Sequence, residues 1–127
     1  MAMKQDILDY IRKLRSVSFA NLENDIPGFK EDPPAADGTV ARMLSGRDHN
    51  IVFWSGMSDE GLKALNDLCD EKLIEMTPTS FLTYLIDGRH LVMPIVTRPP
   101  KRGYRKPHWL PVVFNPMERS KKHVTRT

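Results

Sequence analysis

Residues 58–96, SDEGLKALNDLCDEKLIEMTPTSFLTYLIDGRHLVMPIV, decide how the chain folds. The first part predicts a helix. Ser58 is a ready N-cap, and Asp59 and Glu60 place negative charge at the positive end of the helix dipole. Leu62, Leu65, Leu68, Cys69 and Leu73 recur every three or four residues, giving one apolar stripe on a polar rod. Past Leu73 the period changes. Ile74-Glu75-Met76-Thr77 alternates as a half-buried strand does, and Pro78 breaks the run. Phe81 to Ile86 is rich in aromatic and branched residues, Asp87-Gly88 follows, and Leu91 to Val96 is apolar again. An Asp-Gly pair between two such runs predicts a type I′ β-hairpin, because both central positions of that turn need positive φ.

Upstream, Ile7, Leu8, Ile11 and Leu14 predict a helix over Lys4–Arg15 with those four on its inner face. Ser16-Val17-Ser18 leaves room for a short extended piece. Ser18 then caps a second helix, Phe19–Asp25, which Pro27-Gly28 stops. Residues 27–50 read as a loop insertion, with Pro33-Pro34 extended and one further helical turn at Val40–Leu44. Ile51-Val52-Phe53-Trp54 is too short and too continuously apolar for a helix, and predicts a buried strand. After Thr97 all periodicity stops. Only Val112-Val113-Phe114 has the character of a strand, placed at a sheet edge, and Arg119 to Thr127 reads as a frayed polar tail.

The 127 residues suit one domain, 1–97, followed by a basic, proline-rich C-terminal arm and tail, 98–127. The net charge of +3 hides how unevenly charge is spread: −5 over residues 1–97 and +8 over residues 98–127. Such a split points to a polyanionic partner or to a charged tail. No apolar run approaches the roughly eighteen residues that span a bilayer, and the N-terminus does not resemble a signal peptide. Cys69 is the only cysteine, so no internal disulfide forms, and its place on the helix stripe makes it a packing residue. The expected setting is cytoplasmic, without a membrane. His49, His90, His108 and His123 have no metal-ligand spacing with Cys69 or with one another, and no nucleophile, zinc-protease or phosphate-loop motif is present. The chain therefore reads as non-enzymatic, with no cofactor and no metal.

The order helix, short extended piece, helix, insertion, strand, helix, strand, hairpin over residues 4–97 resembles a winged helix-turn-helix domain, with an insertion longer than a simple helix-turn-helix needs. Ser58, Leu65, Leu68, Leu73 and Ile74, then Phe81 to Ile86 and Leu91 to Met93, stand where that superfamily has its third helix and its wing. The resemblance implies a small α+β fold with three helices, a short antiparallel sheet and a β-hairpin wing. It also implies a DNA-binding role, as in a small transcriptional or phage and mobile-element regulator. One departure bears on that role. The third helix carries Asp59, Glu60, Asp67, Asp70 and Glu71 against Lys63 and Lys72, and carboxylates beside phosphates repel.

The expected contacts therefore lie in the arm. Arg98, Lys101, Arg102, Arg105 and Lys106 supply charge for a phosphate backbone, and Tyr104, His108 and Trp109 supply flat rings for bases. Arg89, at the tip of the expected hairpin, is a further candidate, and Arg42 and Arg47 in the insertion are weaker ones. Against this stands a purely structural strap, in which Tyr104, Trp109 and Leu110 pack back on the domain. The leading expectation is nucleic-acid binding, DNA rather than RNA. The alternative is an adaptor that docks a basic partner protein through its acidic helix, and a homodimer is left open.

Overall fold

The computed structural model describes residues 3–98 and 100–117. The polar tail from Arg119 to Thr127, with His123, and Pro99 in the basic arm lie outside the described residues. Over the described residues the chain is α+β, with four helices and two three-stranded sheets where the sequence predicts three helices and one short antiparallel sheet. Helix α1 is Met3–Leu14, β1 Val17–Ser18, α2 Phe19–Asp25, β2 Ala41–Leu44, β3 Ile51–Met57, α3 Asp59–Asp70 and β4 Ile74–Pro78. Helix α4 (Leu82–Ile86), β5 (His108–Trp109) and β6 (Val112–Pro116) follow. The first sheet runs β1-β6-β4, antiparallel throughout; the second runs β2-β3-β5, with β3 and β5 parallel.

Each of the first three helices forms for the expected reason. In α1, Met3, Ile7, Leu8 and Ile11 are buried, whereas Leu14 at its end turns out to solvent. Ser18 and Asn21 cap α2 reciprocally, each side chain taking the other residue's backbone N–H. Ser58 Oγ accepts the N–H of Gly61 at the start of α3. Such a cap is worth about 1 kcal/mol. Helix α1 packs against α3 and lies on β6.

Two segments differ from expectation. Val40–Leu44 does not make a helical turn; residues 41–44 form β2, paired with β3. More important, the hairpin over residues 81–96 does not form. Ser80 Oγ accepts the N–H of Leu82 and starts α4, and Asp87-Gly88 ends that helix. Gly88 takes φ +72°, its N–H goes to the carbonyl of Leu85, and the N–H of Arg89 goes to that of Tyr84. This is a Schellman helix end, which needs a left-handed residue just as a type I′ turn does. Winding the segment into a helix sends Tyr84 inward, where it is fully buried.

The arm from residue 98 onward is not free-standing either. It loops out and returns as β5 and β6, and β6 occupies the middle of the first sheet, not its edge. Here the strap reading of Trp109 holds, for that side chain is 1% exposed. A chain of rings joins the two sheets: Phe114 meets Phe19 edge-on at 5.1 Å, and Phe19 stacks on Trp54 at 5.6 Å. Trp54 in turn meets Tyr84 at 5.1 Å, and Tyr84 meets Trp109 edge-on at 5.1 Å. Ring pairs of this kind add about 0.5–1.5 kcal/mol each beyond the area they bury.

Candidate nucleic-acid interface

The candidate site is a loop, residues 98–107, held at its root by the β2–β3 turn. That turn is built by Asp48. Its Oδ1 accepts the N–H of Asn50 at 2.9 Å, its carbonyl accepts that of Ile51, and Ser45 Oγ accepts that of Arg47. A short acidic side chain satisfying a backbone N–H two residues on is the usual way such a turn is stabilised. The same carboxylate reaches across the fold. Asp48 Oδ2 accepts the N–H of Tyr104 at 2.8 Å, while Asn50 Nδ2 donates to the carbonyl of Tyr104 at 2.6 Å. Two backbone donors on one carboxylate favour its charged form. They hold the Asp48 carboxyl below its ordinary range, with His49 and His108 adding to the effect.

The loop's other ties are equally local. The N–H of His108 donates to the Asn50 carbonyl at 2.7 Å where β5 meets β3. Across the loop's two ends the N–H of Val96 donates to the Trp109 carbonyl, while that of Trp109 donates to the Pro94 carbonyl. Tyr104 Oη accepts the N–H of Thr97, and the Tyr104 ring lies on the His108 ring at 3.7 Å, nearly parallel. Gly103 turns the chain at φ +84°, and a side chain there would press on the Asp48 carboxylate at 3.0 Å. Glycine is needed at that position on both counts.

The structure sorts the expected contact residues. Arg98, Lys101, Arg102, Arg105 and Lys106 are exposed, and Tyr104 and His108 are half-buried in the loop's own stack. Trp109 is in the core and presents no face to a ligand. Arg89 is committed to the fold: its Nη1 bonds Glu23 Oε1 at 2.7 Å and its Nη2 bonds Asn24 Oδ1 at 2.6 Å. Glu23 also accepts from the Trp54 indole at 2.8 Å, so the pair ties α4 to α2 and β3. Arg42 is exposed on β2, whereas Arg47 comes beside Lys101 on the wall of a cleft of about 360 Å³.

The part that sequence reasoning missed is the clamp. Asp48 and Asn50 are not among the expected contact residues, yet they hold the loop's backbone at Tyr104 and His108. The readable signal was a Ser-Gly-Arg-Asp-His-Asn run between two apolar segments, which marks a turn between paired strands. Its contact with a loop more than fifty residues further on has no local signal. Among the described residues no three His, Cys, Asp or Glu side chains come together as metal ligands, and no helix is long and apolar enough to cross a membrane. No known protein family matches the chain, and neither does any curated protein or solved structure.

Proposed function

We propose that this domain is a non-enzymatic nucleic-acid-binding module that grips backbone phosphates with the loop from Arg98 to Lys106, joined by Arg47. The observation that carries the reading is the set of exposed cations on that loop, Arg98, Lys101, Arg102, Arg105 and Lys106, fixed at its root by Asp48 and Asn50. From Gly88 to Met117 the chain has no Asp or Glu, so nothing within that stretch neutralises them. Each cation brought to a phosphate releases condensed counterions, and a loop already ordered loses less entropy on binding. DNA is the expected polymer. The winged-helix reading enters as a scaffold of α1, α2, α3 and β4. The place of its wing is taken by α4, and the acidic α3 is kept away from phosphates.

Fluorescence anisotropy with labelled DNA over a range of salt tests this. Affinity should fall steeply and linearly on a log–log plot, with a slope of about −0.9 per phosphate neutralised on duplex. Replacing Lys101, Arg102, Arg105 and Lys106 by alanine should remove most of that slope while circular dichroism stays unchanged. Absence of binding at low salt would sink the proposal.

A second reading, docking of a partner protein, draws on α4. Ile86 is 85% and Val92 92% exposed, and Phe81, Leu82 and Leu85 are exposed beside them. Exposed Asp59, Glu60 and Asp70 on α3 suit a basic partner. An interface with an apolar centre would respond only weakly to salt, which separates the two readings.

A further inference from the structure

The cleft beside the basic loop offers chemistry that phosphate binding does not use. It opens between the β2–β3 turn and the turn at Pro100–Gly103, with a volume of about 360 Å³, inside the roughly 300–1,000 Å³ of small-ligand sites. Ile51, which is buried, and Pro100 give it apolar surface, while Arg47 and Lys101 are exposed cations on its wall. Asp48 lines it as well. An ionised carboxylate accepts hydrogen bonds, donates none and repels phosphate. Each Asp48 oxygen already accepts one backbone N–H, from Asn50 or Tyr104. The lone pairs that remain favour N–H donors on a group that enters, with apolar surface against Ile51 and Pro100 and any anionic part outward by Arg47 and Lys101. A nucleobase with its own phosphates meets all three requirements.

We infer that the site takes single-stranded nucleic acid, with one unpaired base inserted in the cleft and the flanking phosphates on Arg47 and Lys101. The inference rests on the nucleic-acid reading above and narrows its substrate. In a duplex the same base is paired and stacked, and entry requires it to be flipped out at a free-energy cost. An unpaired base of a single strand enters without that cost.

The test titrates the wild-type chain with three probes: a short single strand, an abasic strand of equal length and charge, and the duplex of the first. The intact strand should bind at least about tenfold more tightly than either of the others. Ser45→Tyr, which sets a ring in the cleft and keeps every cation, should bring the intact strand down to the abasic level. If that variant does not fold, the abasic comparison on the wild-type chain decides by itself. Equal affinity for all three probes overturns the inference and leaves phosphate binding standing. Failure of every probe to bind at low salt overturns both.

Discussion

Tyr84 shows how much one hydroxyl can organise. Its Oη donates to the carbonyl of Val112 at 2.6 Å and accepts the N–H of Phe19 at 3.0 Å, so it pins β6 and the start of α2 from inside the core. Burial raises the phenol far above its ordinary pKa, which keeps it a neutral donor at any pH the protein meets. Tyr84→Phe preserves the ring contacts but strands two buried backbone groups. It should lower stability by about 1–3 kcal/mol, seen as an earlier midpoint in urea with an unchanged m-value. A variant as stable as the wild type would mean that those groups find other partners. At this scale the sequence was legible for the loop's charges and opaque for its geometry. Lys101 or Arg105 can be read as an exposed cation from its neighbours, but the withdrawal of Trp109 and Arg89 depends on residues far away in the chain.

At the scale of elements, α3 is fitted to its surroundings at Gly61. A methyl there would lie 2.8 Å from Phe29 Cδ1 and 3.2 Å from the Phe29 carbonyl, and Phe29 is fully buried against Phe19. In an isolated helix Gly→Ala is favourable by up to about 1 kcal/mol. Here the contact should reverse the sign, making Gly61→Ala less stable by about 1–3 kcal/mol, measurable by thermal or urea melts. Elements read well wherever one local rule was sufficient. The stripes of α1 and α3, the Ser18 and Ser58 caps and the alternation of β4 are such cases. Residues 81–96 failed because two rules share one signal. Asp87-Gly88 supplies a left-handed residue, which a hairpin turn and a helix end both require, and the choice was made by the burial of Tyr84, which no local pattern encodes.

The whole molecule depends on its last described strand. Val17 pairs with Phe114 on one side of β6, and Met76 pairs with the same residue on the other. A chain cut after residue 97 loses β5 and β6 together with Trp109 and Phe114, so it should show no cooperative thermal transition and should be digested rapidly by trypsin. A folded fragment would mean that the first sheet holds without its centre. The basic segment is thus not an appendage but a loop thrown out by a chain on its way back to the core. The order of strands also has a consequence for biosynthesis. Ser16 meets Asn115 across 99 positions of sequence, so β1 and β4 are both made before the strand that must join them. The ribosome releases this domain's keystone after nearly everything it must join, and until then the nascent chain is open to proteases and chaperones.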